Sequence, residues 1–126
     1  MSSNHALLID DNLQNLRVLA QLLTKQGIVI TEVNNPLELE NILPNLRPDV
    51  IFLDLEMPGS DGYAVKELLR LYYVDIPIIA YTVHISEINQ VRESGFDGFL
   101  GKPLNTTRFP DQLARILRHE PVWERS

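Results

Sequence analysis

The chain has 126 residues, 44% hydrophobic and 22% charged, which is typical of a single globular domain with one core. Its formal net charge of -6 argues against the basic face that nucleic-acid binding requires. The absence of cysteine excludes disulfides, thiolate metal sites and thiol nucleophiles. No run approaches the roughly 20 apolar residues that cross a bilayer. We therefore expect a cytoplasmic protein without a membrane partner.

Short apolar runs alternate with helical patterns along the chain. The third run ends at Asp54 and is followed by Met57-Pro58-Gly59, which interrupts regular structure because proline fixes φ and glycine tolerates unusual dihedrals. The runs predict five buried strands, at about residues 6–9, 28–33, 50–54, 78–81 and 99–100. Helix starts are predicted at Asn12, Asn35-Pro36, Asp61 or Gly62, Ser86 and about Thr107.

This alternation predicts the fold class. Five βα units in succession favour a parallel sheet with helices on both faces and right-handed crossovers. We predict an α/β, flavodoxin-like (βα)5 three-layer sandwich whose parallel five-stranded sheet has the order 2-1-3-4-5. We expect one domain over residues 1–126, with a core at about 4–119 and an irregular C-terminal tail at 120–126.

Three carboxylates are predicted to meet at one edge of this sheet. Asp10 and Asp11 follow the first strand and Asp54 ends the third, and the predicted order makes these strands neighbours. Two like charges 4 Å apart repel by about 4 kcal/mol at an effective dielectric of 20. A proton or a cation relieves that repulsion, and oxygen ligands favour Mg²⁺ or Mn²⁺. The alternative interpretation is that Asp10-Asp11 only caps a helix.

Two further side chains follow strands that end at the same edge. Lys102 comes after the fifth strand and Thr82 after the fourth. Either could be an ordinary surface or strand-end residue. Beside the acidic cluster, however, an ammonium and a hydroxyl could bind the oxygens of a phosphoryl group while Asp54 attacks the phosphorus. The predicted product is an aspartyl-phosphate.

The ordered set of motifs resembles the receiver domain of two-component response regulators, of the CheY-like, stand-alone kind. The resemblance extends from about Asn4 to His119. It implies phosphorelay signal transduction, with Asp54 phosphorylated by a histidine kinase or a histidine phosphotransfer protein. It also implies that the chain is no enzyme beyond catalysing its own phosphorylation and dephosphorylation. The motifs are Asp10-Asp11, the Asp-x-x-Met-Pro-x-x-x-Gly run from Asp54 to Gly62, Thr82 and Lys102-Pro103.

The same resemblance implies the metal ligands. Asp11 and Asp54 would bind Mg²⁺ (or Mn²⁺) directly, the backbone carbonyl of Glu56 would be a third ligand, and Asp10 would act mainly through a water.

The resemblance further implies the phosphoryl ligands and a switch. Thr82 and Lys102 would hold the phosphoryl oxygens, and the Lys102-Pro103 peptide bond would be cis. Phe99 stands at the position of the family's switch aromatic, although it could equally be an ordinary strand residue. A downstream protein would bind the face formed by the fourth helix, fifth strand and fifth helix, and a homodimer is left open. The residues expected on that face are Ile85, Ile88, Phe99 and Phe109.

The entrance to the site departs from the usual pattern. Val83 follows Thr82 where many receivers have alanine, and we predict that its bulk reduces access to Asp54. Glu56 and His84 each lie two residues past a site residue, and we predict that they tune phosphorylation and hydrolysis rates. The alternative is that both are solvated surface residues.

Two other functions use a similar fold or nucleophile. A flavodoxin-type FMN binder would need a Ser/Thr/Gly-rich loop after the first strand, where this chain has Asp10-Asp11. A Mg²⁺-dependent phosphohydrolase with an aspartyl nucleophile would have a second Asp where this chain has Glu56. Both fit the sequence less well than a receiver.

Overall fold

The computed structural model describes residues 4–57 and 59–125 and contains a six-stranded parallel sheet in the order β2-β1-β3-β4-β5-β6. Pro58, part of the predicted turn after Asp54, lies outside the described residues, as does Ser126 of the predicted tail. The strands are β1 (His5–Ile9), β2 (Val29–Val33), β3 (Val50–Asp54), β4 (Ile78–Thr82), β5 (Gly98–Gly101) and β6 (Val122–Glu124).

Helices cover both faces of this sheet. Short 3-10 turns extend the second helix at both ends and precede the fourth. No helix in the described part of the chain is long and apolar enough to cross a lipid bilayer. The helices are α1 (Leu13–Lys25), α2 (Leu39–Ile42), α3 (Gly62–Tyr72), α4 (Ile88–Glu93) and α5 (Phe109–Leu117).

The predicted fold class is confirmed for the first five strands, which are all parallel and follow the order 2-1-3-4-5. Side chains along a strand alternate between its faces, so the sheet separates two hydrophobic clusters. In β1, Leu7 belongs to one cluster and Leu8 to the other. Every residue of β3 is buried, which explains why its sequence is continuously apolar up to Asp54.

Helix starts follow local capping rules where a side chain can reach the backbone. The Asn12 side chain accepts a hydrogen bond from the Asn15 N–H at 3.1 Å, as its N-cap position predicts. Ser86 does not cap α4, which corrects the sequence-based expectation. A 3-10 turn already begins at Ile85, because Thr82 Oγ1 accepts the His84 N–H at 3.1 Å and bends the chain early.

The tail beyond α5 is the main departure from the predicted fold. We expected residues 120–126 to be irregular, but Val122–Glu124 forms β6 beside β5, with Phe99 paired to Trp123. Glycines make this close approach possible: a Cβ on Gly101 would lie 1.8 Å from the Arg125 carbonyl oxygen. A run of three residues is too short to show the alternating pattern that predicts a strand. β6 forms because the edge of β5 is available for pairing.

Side chains of α5 and the preceding loop hold β6 in place. Glu124 pairs with Arg108, and its carboxylate also accepts hydrogen bonds from Gln112 Nε2 at 2.8 Å and Arg115 Nη2 at 2.5 Å. Trp123 lies beneath the Arg92 guanidinium, 4.8 Å from ring centroid to Cζ. We call the contacts of Glu124 with Arg108, Gln112 and Arg115 the tail clamp.

Candidate functional site

Three carboxylates converge at the carboxyl edge of the sheet, as the predicted topology requires. β1 and β3 are paired with Ile9 opposite Leu53, so the residues that follow them are adjacent. One carboxylate oxygen from each of Asp10, Asp11 and Asp54 lies within 4.8 Å of the other two. Asp10 and Asp54 are buried, whereas Asp11 is exposed.

Asp10 is held by contacts to both of its oxygens. Oδ1 accepts the Asn12 N–H at 2.8 Å, and Oδ2 accepts the Tyr81 hydroxyl at 2.7 Å. Lys102 Nζ lies 3.5 Å from the same Oδ2. Because both carboxylate oxygens of Asp10 are already in contact with these groups, the exposed Asp11 is the more accessible member of the acidic pair. Direct binding of a metal ion by Asp11 and water-mediated binding by Asp10 stay predictions.

Asp54 is the buried carboxylate at the centre of the cluster. Its Oδ1 accepts the Glu56 N–H at 3.1 Å and lies 3.1 Å from Lys102 Nζ. Burial, together with the neighbouring Asp10, raises the pKa of Asp54 to about 6 against the opposing charge of Lys102. Asp54 is therefore an anion at neutral pH, and additional positive charge nearby would stabilise it.

Tyr81 is a site residue that sequence reasoning missed. Burial and the nearby Asp10 raise the pKa of its phenol far above the ordinary value, so the hydroxyl remains a hydrogen-bond donor. Lys102 Nζ lies 4.4 Å from the Tyr81 ring centroid. Tyr81 thus positions both Asp10 and Lys102. The available signal was a tyrosine within a buried strand, since a buried hydroxyl needs a partner.

Thr82 and Lys102 are brought to the same edge by the pairing of β4 and β5. The Lys102 N–H donates to the Thr82 carbonyl oxygen at 2.9 Å. The Lys102-Pro103 peptide bond is cis, as the family resemblance implies.

Glu56, Val83 and His84 form a second group next to Thr82. The Thr82 hydroxyl and the Val83 N–H, the latter at 2.9 Å, both donate to Glu56 Oε1. The other oxygen, Oε2, lies 3.1 Å from His84 Nε2. Although burial acts in the opposite direction, hydrogen bonds from Thr82 and Val83 hold the pKa of Glu56 below its ordinary value. Glu56 is thus a hydrogen-bonded carboxylate, and the rate-tuning roles of Glu56 and His84 stay predictions.

Asp54, Glu56 and Val83 are among the residues that line an open cleft of about 540 Å³. Val83 is 54% exposed at its wall. Phe99 does not line the cleft and is fully buried in one of the hydrophobic clusters, so its switch role stays a prediction. The lining residues are Asp11, Asn12, Asn15, Asp54, Glu56, Val83, Lys102 and Pro103.

The donor set fits a hard divalent cation. Asp10, Asp11 and Asp54 offer oxygen ligands only, and the adjacent Lys102 cannot neutralise three carboxylates. Mg²⁺ prefers such oxygen ligands and commonly needs only one or two protein carboxylates. The cluster is therefore compatible with the predicted metal.

Comparison with known proteins places these features in one family. The family model described as the response regulator receiver domain matches residues 6–114. The sensor histidine kinase CheAY of Helicobacter pylori is 34% identical over 120 residues, which cover 90% of this chain and 15% of that protein. The sensor protein GacS of Pseudomonas syringae pv. syringae is 30% identical over 118 residues, or 88% of this chain and 13% of that protein. The chain thus spans less than a fifth of these relatives.

Solved structures agree with this chain in fold. A two-component response regulator from Clostridium difficile has a TM-score of 0.82 and 28% identity, covering 92% of this chain and 97% of that one. The receiver domain of a Pseudomonas aeruginosa sensor histidine kinase has a TM-score of 0.79 and 26% identity, covering 93% and 99%, and holds a magnesium ion in its active site cleft. The chain described here belongs to the response regulator receiver domain family.

Proposed function

We propose that Asp54 accepts a phosphoryl group from the phosphohistidine of a histidine kinase or a histidine phosphotransfer protein. The observation that carries the proposal is the placement of Asp54. It is a buried carboxylate at a strand end, 3.1 Å from Lys102 Nζ and clustered with two further carboxylates. Through this reaction the chain would act in a phosphorelay, signalling by contact or passing the phosphoryl group on.

In the transfer step, a carboxylate oxygen of Asp54 forms a bond to phosphorus as the P–N bond of the donor breaks. The electron pair of that bond stays on the donor's imidazole nitrogen. The Lys102 ammonium and the Thr82 hydroxyl would bind oxygens of the transferred group. Mg²⁺ or Mn²⁺, held by Asp11 and Asp54 and by the Glu56 carbonyl, would supply the remaining neutralising charge. We propose no turnover of other substrates.

The test is phosphorylation by acetyl phosphate in the presence of Mg²⁺, followed by intact-mass measurement. We expect the parent protein to gain one phosphoryl group and Asp54→Asn to gain none. Asp75→Asn removes an exposed carboxylate remote from the site and should be labelled like the parent. Labelling of Asp54→Asn at the parent's rate, or no labelling of the parent, would contradict the proposal.

Access to Asp54 is a finer part of the proposal. The exposed Val83 side chain at the wall of the cleft supports a role in restricting small donors. Val83→Ala should therefore be phosphorylated faster than the parent by acetyl phosphate. Equal rates would count against a role for Val83. Glu56 and His84, in contact with each other, are proposed to tune the same rates.

The proposed partner surface differs in detail from the sequence-based expectation. Phe99 and Phe109 are fully buried, and Ile88 is nearly so, which corrects their prediction as contact residues. Phe109 packs against Phe52, with the ring centroids 6.2 Å apart, whereas Ile88 and Phe99 lie in the opposite hydrophobic cluster, against which Trp123 of β6 packs. We propose that a protein target, or a second copy of the chain, contacts Ile85, which is 41% exposed, and the outer side of β6.

Size-exclusion chromatography with and without beryllofluoride tests dimerisation through this face. A concentration-dependent shift that Ile85→Ser removes would support a homodimer, and an unchanged elution volume would exclude one at the concentrations used. A cytoplasmic location stays a prediction.

A further inference from the structure

The Glu56 carboxylate occupies hydrogen-bond donors at the place where the proposed function needs them. Glu56 Oε1 accepts both the Thr82 hydroxyl and the Val83 N–H. Thr82 Oγ1 meanwhile accepts the His84 N–H at 3.1 Å. A hydroxyl has a single proton, and here that proton is directed at Glu56. The Glu56 carboxylate thus accepts hydrogen bonds from two neighbouring donors, Thr82 and Val83.

The position of Glu56 is fixed through both its backbone and its side chain. Its own N–H donates to Asp54 Oδ1 at 3.1 Å, which ties its backbone to the proposed phosphorylation site. Its second carboxylate oxygen is 3.1 Å from His84 Nε2. The side chain lies in the wall of the cleft that opens onto Asp54. The side-chain contacts come from residues 82–84 and the backbone contact from Asp54, and together they define one arrangement of the carboxylate.

A phosphoryl group on Asp54 would need the same donors. It carries negative charge on several oxygens, and its stabilisation depends on N–H, O–H and ammonium groups aimed at them. The remaining cation at the site, Lys102, already contacts Asp54 and Asp10. The Thr82 proton cannot serve Glu56 and a phosphoryl oxygen together. Two anions sharing these donors would also repel each other.

We propose that Glu56 is an internal competitor for the phosphoryl group, which must leave Thr82 and Val83 before Asp54 is phosphorylated. This inference rests on the proposed function and adds a direction to the role of Glu56: its carboxylate slows phosphorylation. His84 can retain Oε2 when Oε1 is released, because the two contacts use different oxygens. The displaced carboxylate then remains at the entrance to the cleft.

The experiment compares the parent with Glu56→Ala and Glu56→Gln at saturating Mg²⁺. Labelling by acetyl phosphate should be several-fold to tenfold faster in Glu56→Ala. Glu56→Gln should be intermediate, since a neutral amide still accepts hydrogen bonds but does not repel an anion. Glu87→Gln removes a nearby charge outside the cleft lining and should match the parent.

A second measurement needs neither metal nor phosphate. In the metal-free protein, amide hydrogen exchange at Val83 should be faster in Glu56→Ala than in the parent, because its acceptor is gone. Faster exchange with unchanged or slower phosphorylation would overturn the competitor role while leaving the proposed function intact. Unchanged exchange would show that Glu56 does not occupy the donor, which also overturns it. No labelling of any variant would instead reject the proposed function, and the competitor role with it.

Discussion

Two of the places where charged side chains join distant segments, the acidic sheet edge and the tail clamp, have opposite balances of charge. At the sheet edge, the carboxylates of Asp10, Asp11 and Asp54 share one ammonium, that of Lys102. In the tail clamp, the proportions are reversed. One carboxylate, that of Glu124, is shared by two guanidiniums and the Gln112 amide.

The pKa values of the two regions reflect this difference. Burial raises the pKa of Asp54 to about 6 because Lys102 only partly compensates it. Burial also acts on Glu124, yet hydrogen bonds from Gln112 and Arg115 hold its pKa below the ordinary value. An uncompensated cluster has affinity for a cation and costs stability, whereas a compensated one stabilises the fold. The acidic sheet edge is therefore suited to binding a cation, and the tail clamp to holding β6.

The largest expected effect is the loss of the single cation at the acidic edge. Lys102→Ala should lower the rate of labelling by acetyl phosphate roughly 100-fold, because it removes a charge that stabilises the transferring group. Time-resolved intact-mass measurement at saturating Mg²⁺ gives the rate. Lys25→Ala, on the exposed end of α1, is the matched control. A reduction of less than threefold would mean that Lys102 has no such role.

The pH dependence of stability should differ in sign between the regions. The folded metal-free protein holds the Asp54 proton more tightly than the unfolded chain, whose carboxyl pKa is 3.8. The resulting stability is present below about pH 4 and is lost as pH rises through 6, by at most about 3 kcal/mol. Urea unfolding between pH 4 and 7 measures it, and the difference between the parent and Asp54→Asn isolates it. A parallel pH profile for the two proteins would refute the prediction.

Glu124 should show the reverse behaviour and a smaller effect. Its lowered pKa contributes stability above the ordinary value of 4.5 that is lost on acidification. At pH 7, Glu124→Ala should lower the free energy of unfolding by about 1–2 kcal/mol, because the hydrogen bonds of Arg115 and Gln112 to this carboxylate are lost. Glu120→Ala, which removes an exposed carboxylate paired with Arg118 outside the tail clamp, is the control. Phosphorylation rates should be unchanged in both variants. A changed rate would show that the tail clamp influences the site around Asp54.

The smallest effect is expected at the contact between Arg92 and Trp123. Arg92→Gln removes a cation–π interaction worth about 0.5–1 kcal/mol at an exposed site. Because Trp123 is the only tryptophan, its fluorescence reports the contact directly. Emission should shift to the red in Arg92→Gln and stay unchanged in Arg47→Gln. Identical spectra for Arg92→Gln and the parent would show that Arg92 does not cover Trp123.

Much of the site was predictable because it depends on topology. Alternating strands and helices predict a parallel sheet, and a parallel sheet brings the ends of neighbouring strands to one edge. Asp10, Asp54 and Thr82 directly follow or end an apolar run, and Lys102 follows another such run with one residue between them, so their proximity follows from strand order.

The sequence by itself determined the first five strands, their order and the acidic edge, since these depend on periodicity and on residues at strand ends. Only the tertiary structure decided that Tyr81 binds Asp10, that Glu56 binds Thr82, and that Val122–Glu124 becomes a strand. Each of these depends on side chains or a sheet edge many residues away. No local pattern encodes such a contact, because it exists only after both partners have been positioned by the fold.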